Sequence, residues 1–417
     1  MKNTTEKLFP LLIPLLFVFP LFKESISSLF FILVALNTLV YTYAENKFSP
    51  ALLKKMAAYT MPFWIVAIGC LVKASSFDDL VPIKNSLYFL LFPLIFPLIP
   101  DANFSKEKVH FYIQILKNVC AVVVVGYLAA FLVKYDFKDF FVFKFGIPKF
   151  RDFVYYEILF FKIHPTYFTA ILVFCIAYSL ERVFKNKKYV ELLYIGMFIL
   201  MTFMLLSKIN IVFVIILVFG MLLFRSGMSF PRRLMASTVL IIAVAAMLVS
   251  IPGISNRFKE MVEKYNKPPV GLEYHSTNIR VAIYTCSAKI VKQNFLTGIG
   301  YNNIGTELKE CFSDNYNSSF YNEKSYITHN YFMYILISGG IFSLLAFLYY
   351  IGSVVFAGYK MNYFVVNVFL LNILLLCMSE DYFYRQFGLF YFSLIFFTFL
   401  RMHKSCLTAE AMSNGNG

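Results

Sequence analysis

The chain has 417 residues, of which 59% are hydrophobic and 15% charged, and its mean hydropathy is +0.69. Soluble domains contain about 45–50% apolar residues, so the composition excludes an ordinary soluble fold. The net charge of +15 comes from lysines and arginines clustered between apolar runs, which favours anchoring to anionic lipid over a role with nucleic acid. The sequence therefore predicts an all-α polytopic integral membrane protein, because lipid requires every backbone group to be paired within its own helix.

Apolar runs recur along the whole chain, and most are long enough to cross a hydrocarbon layer of about 30 Å. The first run, residues 8–22, also fits a signal peptide; we prefer a retained helix because it keeps the loop charges alternating. Twelve transmembrane helices are predicted, near residues 8–22, 26–44, 57–72, 85–100, 109–133, 165–180, 189–207, 209–224, 234–251, 330–351, 362–378 and 386–400.

Lysines and arginines concentrate in every second short loop, for example residues 182–188 and 225–233, whereas the loop between the last two spans holds only Arg385. Basic loops remain on the cytoplasmic side, so both termini are predicted to be cytoplasmic. The predicted organisation is transmembrane helices 1–9 in residues 1–251, a large outer loop in 252–329, helices 10–12 in 330–404, and a cytoplasmic tail in 405–417.

Two predicted outer segments are long, residues 134–164 and 252–329. In the second, "STNIRVAIYTCSAKIVKQN" (276–294) predicts an amphipathic helix that lies either on the membrane surface or over the bundle, where it would cover a cavity. Its apolar stripe consists of Ile279, Ile283, Cys286 and Ile290.

The cysteines show no metal-binding pattern. Cys286 and Cys311 share the outer loop, where an oxidising compartment permits a disulfide without requiring one. There is no zinc spacing and no nucleotide-binding fingerprint, so no cofactor or metal is predicted. Any energy must then come from an activated substrate or an ion gradient. The cysteines within spans are expected to be packing residues: Cys70, Cys120, Cys175 and Cys377.

Two cations interrupt the apolar pattern on the outer side, where ionisable groups usually face an internal cavity. Lys208 either snorkels at a tight turn or clamps an anion. Arg280 lies in the first turn of the 276–294 helix, where a cation opposes the helix dipole unless an anion is present. A phosphate would bind both the guanidinium and the free amide groups of the helix N-terminus. A loop acid such as Glu273 is the alternative partner of Arg280.

Two histidines open spans on the same predicted face, His329 and His164. An interfacial histidine is more often a helix cap than a catalyst, yet an imidazole with a pKa of about 6.5 can take a proton from a hydroxyl. His329 is the stronger candidate for a general base, because Pro165 after His164 also fits a plain helix start.

The stretch "STNIRVAIYTCSAKIVKQNFLTGIGYNNI" (276–304), followed by "HNYFMYILISGGIFSLLAFL" (329–348), resembles the O-antigen ligase and O-antigen polymerase family of lipid-linked glycan transferases. "HPTYFTAIL" (164–172) is similar to another recurrent patch. Lys208 stands where the family commonly has arginine. The family often has a tryptophan in the loop helix; this helix has none, and Tyr284 is the candidate to occupy the same helix face. The matching positions are Arg280, Gly298, Gly300, His329, Asn330 and Gly339.

The resemblance implies a GT-C-like glycosyltransferase of the bacterial inner membrane, active in lipopolysaccharide biosynthesis at the periplasmic face. It would transfer a glycan from undecaprenyl diphosphate to lipid A-core, with inversion and without nucleotide or metal. Arg280 and Lys208 would bind the diphosphate, and His329 would deprotonate the acceptor hydroxyl. We expect no pair of carboxylates placed as in retaining glycosidases. The implied supporting residues are Asn330, His164, Tyr284, Gly298 and Gly300.

Three functions stay open. One dominant outer loop favours a ligase, while the length of residues 134–164 keeps a polymerase of lipid-linked repeats as the alternative. A transporter or flippase that uses Lys117, Lys208 and the histidines is the third. For the transferase, the structural prediction is that Arg280, Lys208 and His329 surround one outward-facing cavity beneath the 276–294 helix.

Overall fold

In the computed structural model of the protein, one predicted span, 234–251, falls almost wholly outside the described residues, as does Glu273. The described residues are 2–46, 48, 54, 56–73, 77–144, 147–158, 162–224, 229–231, 233–235, 237–238, 242, 267–272, 276–323 and 325–414.

Helices make up nearly all of the described chain, at the positions where apolar runs predicted them. Up to residue 224 the α-helices are α1 (Lys2–Leu16), α2 (Glu24–Ala44), α3 (Met61–Lys73), α4 (Val81–Ile95), α5 (Lys106–Lys134), α6 (Lys149–Asp152), α7 (Pro165–Asn186), α8 (Glu191–Met204) and α9 (Lys208–Phe224). After residue 275 they are α10 (Ser276–Gln293), α11 (Ile304–Asn315), α12 (Phe320–Glu323), α13 (Tyr331–Met361), α14 (Phe364–Ser379) and α15 (Gln386–Asn414).

The described helices include long apolar segments and shorter apolar ones. Four described apolar helices, among them α9 and α14, have only 10–17 residues. The fold is therefore an all-α, multi-pass membrane protein, as predicted, and the number twelve stays a prediction. Within the described residues, five segments are long and apolar enough to cross a membrane: Glu24–Ala44, Val81–Leu98, Lys106–Lys134, Pro165–Asn186 and Tyr331–Met361.

The helix α7 forms the centre of the bundle. Every side chain from residue 165 to residue 180 is buried, against α5, α8, α9 and α14. Pro165 fixes the first turn, where its missing N–H has no cost, and Lys187 ends the helix in the left-handed conformation with φ 52°. The start of this helix is therefore fixed by both sequence and packing, together with His164 just before it.

The lysine that interrupts the fifth predicted span is paired inside the bundle. Lys117 Nζ on α5 lies 2.5 Å from Glu191 Oε2 at the start of α8. Arg182 and Ser179 on α7 contact the same carboxylate, with Arg182 Nε 3.2 Å from Oε1 and Ser179 Oγ donating to Oε2 at 2.9 Å. Because a buried charge is tolerated only when it is paired and hydrogen-bonded, this cluster fixes α5, α7 and α8 relative to one another.

The helix α13 is broken at Gly340, which has φ 71°. The chain before α11 fills the break: Ile299 and Gly300 donate their N–H groups to the carbonyls of Ile337 and Ser338, each at 2.8 Å. A Cβ on Gly298 would lie 2.4 Å from the Ser338 carbonyl oxygen, so only glycine fits there. The glycine turn therefore fixes the end of α10 against α13.

The predicted apolar stripe of α10 is confirmed, because all four of its side chains are buried. The stripe packs this helix on α11 and α13, and a disulfide joins Cys286 on α10 to Cys311 on α11. Of the two predicted placements, α10 therefore lies on the other helices. The four cysteines expected within spans are also buried.

The segment 134–164 is irregular in its described part. It contains a helical turn at Phe137–Phe141, two short antiparallel strands, β1 (Phe143–Lys144) and β2 (Ile147–Pro148), and then α6. Residues 155 and 156 follow α6 and lie near the start of α7. This segment therefore contributes side chains to the surroundings of His164.

Candidate active site

The two strongest sequence candidates, Arg280 and His329, meet at one carboxylate. Arg280 Nη2 lies 3.0 Å from Glu380 Oε1, and His329 Nδ1 lies 3.1 Å from Glu380 Oε2. Arg280 is in the first turn of α10, His329 lies two residues before α13, and Glu380 follows the last residue of α14. Three helix ends, distant in sequence, therefore supply one cluster.

His329 is held in an unusual backbone conformation, with φ 48°. Such left-handed backbone costs a residue with a Cβ about 1–2 kcal/mol. Its backbone N–H donates to Asp381 Oδ2 at 2.6 Å, and the Thr328 hydroxyl donates to Asp381 Oδ1. The adjacent carboxylates of Glu380 and Asp381 thus fix both the ring and the backbone of His329.

Asn330 and Tyr284 support this arrangement. Asn330 is the N-cap of α13, and its Oδ1 accepts the N–H of Met333 at 3.1 Å. Tyr284 lies one turn after Arg280 on α10, so the two side chains share a face, and the tyrosine hydroxyl donates to the His329 carbonyl at 3.4 Å. Both residues position the turn that carries the imidazole.

The two carboxyl groups differ in their electrostatics. Burial opposes ionisation of Glu380, but the hydrogen bond from His329 and the charge of Arg280 together lower its pKa to about 2. Burial raises the pKa of Asp381 above its usual range, against the hydrogen bonds from Thr328 and His329. Glu380 is therefore ionised at neutral pH.

His164 caps α7, since its Nδ1 accepts the N–H of Thr166 at 3.3 Å. Burial and the charge of Arg385 lower its pKa to about 3, so the ring is neutral. It also lines a cleft of about 250 Å³ together with Tyr155, Lys162 and Arg385. The capping role that the sequence suggested is present, and the cleft adds a second environment to the same ring.

Lys208 is placed by α7. It is the first residue of α9 and half-buried, and Asn210 two residues later donates to the carbonyl of Thr166 at 3.2 Å and to Thr169 Oγ1 at 2.7 Å. These contacts bring the start of α9 to the start of α7, near His164. Glu380 joins Arg280 to His329, whereas the contacts between α9 and α7 determine the position of Lys208.

The cleft at His164 is a different feature from the predicted cavity, which stays a prediction. We expected a single cavity beneath α10 surrounded by Arg280, Lys208 and His329; the cleft at His164 is lined by other residues. Within the described residues, no group of three or more His, Cys, Asp or Glu side chains is arranged to hold a metal ion.

The sequence analysis missed Glu380, Asp381 and Arg385 as residues of the site. Glu380 and Asp381 both contact His329, one at the ring and the other at the backbone. A signal was available, because Glu380 and Asp381 are the only acidic residues between Glu323 and Glu410. A pair of acids bordering an apolar span is costly unless it has cationic partners.

This fold and site define a class of protein: a multi-pass helical membrane protein with a histidine and cations gathered at its helix ends. Residues 192–348 match the family model described as O-antigen ligase, and this match supports the resemblance that the sequence motifs indicate. It supports a transferase of the ligase or polymerase kind. A search of the curated proteins finds no match.

Proposed function

We propose that this protein is an O-antigen ligase, which transfers a glycan from undecaprenyl diphosphate to lipid A-core oligosaccharide at the periplasmic face of the inner membrane. The observation that carries the proposal is the position of Glu380, which contacts Arg280 and His329 at once. A general base and an anion-binding cation are thereby held next to each other, and this reaction requires both.

His329 acts as the base. An ionised carboxylate only accepts hydrogen bonds, so Glu380 fixes the proton of the neutral imidazole on Nδ1 and leaves the Nε2 lone pair for the acceptor hydroxyl. As the acceptor oxygen attacks the anomeric carbon, its proton passes to Nε2. The bond from that carbon to the phosphate oxygen breaks, and the configuration inverts because attack and departure occur on opposite faces.

Arg280 stabilises the leaving diphosphate. Glu380 contacts one nitrogen of the guanidinium, Nη2, and the side chain is 37% exposed, so the fork can also meet phosphate oxygens. Such preorganised charge is most effective where it faces the oxygen on which charge develops. Lys208 supplies the second cation, as a point charge without the bidentate geometry of arginine. The donor is already activated, so the step consumes no nucleotide.

The remaining site residues act through position. Asn330 and Tyr284 hold the His329 turn, and Gly298 and Gly300 hold α10 against α13. His164 starts α7 beside the cleft. None of these five needs to touch the reacting atoms for the mechanism to operate.

A polymerase that joins lipid-linked repeats is the second candidate, and one observation favours it. Tyr155, Tyr156 and Lys162, from the 134–164 segment, line the cleft at His164. Both long segments therefore contribute residues near the site, as would be needed to hold two lipid-linked substrates.

The test uses the purified full-length protein in detergent with a lipid-linked glycan donor and no ATP. One reaction contains lipid A-core, and the other contains a second lipid-linked repeat. Joining to lipid A-core alone supports the ligase, and chain extension alone supports the polymerase. Failure with both acceptors would overturn the transferase proposal. In cells, His329→Ala should leave donor accumulated on the periplasmic face; donor trapped inside would instead indicate a flippase.

A further inference from the structure

The cleft at His164 lies outside the Arg280–Glu380–His329 cluster and has its own chemistry. It is formed by the start of α2, the end of the 134–164 segment and the turn before α15, with a volume of about 250 Å³. Its side chains include Tyr155, Tyr156, Lys162, His164 and Arg385. A volume of this size fits one sugar ring with a substituent better than a lipid chain.

The cleft presents mainly hydrogen-bond donors. Because His164 Nδ1 accepts the Thr166 N–H and the ring is neutral, its proton is on Nε2, which is then a donor. Arg385 and Lys162 add a guanidinium and an ammonium, while Glu24 contributes one carboxyl. The excess of donors and positive charge favours an oxygen-rich anion.

Aromatic rings complete the cleft. Tyr155 and Tyr156 meet edge to face at 4.4 Å between centroids, and Tyr156 is 65% exposed. The Arg385 guanidinium lies 6.0 Å from the centre of the Tyr167 ring, and hydrogen bonding to Tyr155 also favours its charged form. An exposed tyrosine beside a fixed cation suits a sugar ring, whose C–H face stacks on it while its hydroxyls and anionic substituent reach the donors.

The cleft is close to the base. Tyr167, which lines the cleft, donates its hydroxyl to the carbonyl of Tyr382 at 3.2 Å, one residue after the Asp381 that accepts the His329 N–H. A sugar in the cleft would therefore have its neighbouring hydroxyls within reach of the region served by His329.

We propose that this cleft is the subsite for the acceptor sugar, and that it selects a sugar carrying a phosphate or carboxylate group through Arg385. The inference rests on the proposed transferase function. The acceptor side is favoured over the donor side because Arg280 already serves the diphosphate. In addition, every residue that lines the cleft lies outside the matched region 192–348, which contains Arg280, Lys208 and His329.

A binding measurement tests the site without requiring catalysis. The full-length His329→Ala protein in detergent is titrated with glucose 6-phosphate, glucuronate, glucose and inorganic phosphate, and binding is followed by saturation-transfer NMR. We expect the two anionic sugars to bind more tightly than glucose or phosphate. Arg385→Gln should weaken anionic-sugar binding about tenfold or more, because a charge-assisted hydrogen bond is lost. Arg385→Lys should keep part of the affinity.

The matched control is Lys292→Gln, which removes an exposed cation on α10 away from the cleft and should change nothing. Equal binding of glucose and glucose 6-phosphate, or unchanged affinity in Arg385→Gln, would overturn the proposal. Binding of inorganic phosphate as tight as that of glucose 6-phosphate would overturn the sugar subsite.

A kinetic measurement assigns the side of the reaction. In the joining assay, Arg385→Gln should raise the KM for the acceptor about tenfold and leave the KM for the lipid-linked donor unchanged. A raised donor KM with an unchanged acceptor KM would overturn the acceptor assignment. If joining fails in the parent protein but the binding results hold, the transferase proposal fails while the anionic-sugar site stands.

Discussion

Two glutamates in this protein each contact two basic side chains, but in opposite surroundings. Glu191 and its partner Lys117 lie inside the bundle, with 6% and 1% of their side chains exposed. Around Glu380 the exposed fractions are 37% for Arg280 and 33% for His329.

The difference in exposure separates a structural cluster from a reactive one. At Glu191 the carboxylate receives Lys117, Arg182 and a serine hydroxyl in a dry environment, so its interactions hold helices together. At Glu380 the same chemistry leaves the imidazole and guanidinium edges accessible, so a substrate can approach them. The predictions below either break this contrast or sharpen it, beginning with the largest expected effect.

Replacing the base should have the largest effect. His329→Ala is expected to lower kcat for glycan joining by about 10²–10⁴-fold, the usual contribution of a general base. The measurement is initial rate in the detergent assay, with the amount of folded protein checked by thermal melting. His403→Ala, in the last helix, is the matched control and should retain full activity. An active His329→Ala protein would remove the imidazole from the mechanism.

Breaking the buried cluster should affect stability instead. Glu191→Gln leaves the charges of Lys117 and Arg182 without their shared carboxylate, and loss of a buried ion-pair partner costs about 3–5 kcal/mol of unfolding free energy. The change is measured by denaturant or thermal unfolding in detergent. The protein that remains folded should have nearly the parental kcat. A stable but inactive Glu191→Gln protein would give this cluster a functional role and contradict the contrast.

Removing the charge of Glu380, the more accessible of the two glutamates, should lower activity. Glu380→Gln is expected to lower kcat about tenfold to a hundredfold, because the amide no longer fixes the imidazole proton on Nδ1. The donor KM should stay constant or fall, since Arg280 loses its competing partner. Glu310→Gln, an exposed acid on α11, is the control. An unchanged kcat with a raised donor KM would show that Glu380 contributes to binding alone.

Apolar run length predicted where the helices lie, because lipid restricts spanning segments to long apolar helices. The stripe of α10 was predictable for a similar reason: Ile279, Ile283 and Ile290 follow the helix period. His329 and Arg280 were predictable as unusual residues at helix starts. All of these signals are local in sequence.

The partners of these residues were not predictable from local patterns. Arg280 and Glu380 are 100 positions apart, and His164 reaches the same neighbourhood only through the packing of α7. The role of the glycine turn was also hidden, since the break of α13 at Gly340 becomes visible only when Gly298 is seen against it. Contacts between helix ends depend on tertiary packing, about which helical periodicity carries no information.

The smallest predicted effect is a pH dependence of stability at Glu380. Its pKa in the folded protein is lowered to about 2 from an ordinary value of 4.5, so the stability from its contacts is present above pH 4.5 and is lost as the pH falls toward 2. Glu380→Gln should therefore be less stable than the parent at pH 7 by roughly 2 kcal/mol, a value discounted for partial exposure. The difference should shrink between pH 4.5 and 2. Unfolding of both proteins in detergent at pH 7, 4 and 3 measures it, and a difference that does not shrink over this range would show that Arg280 and His329 do not hold Glu380 ionised.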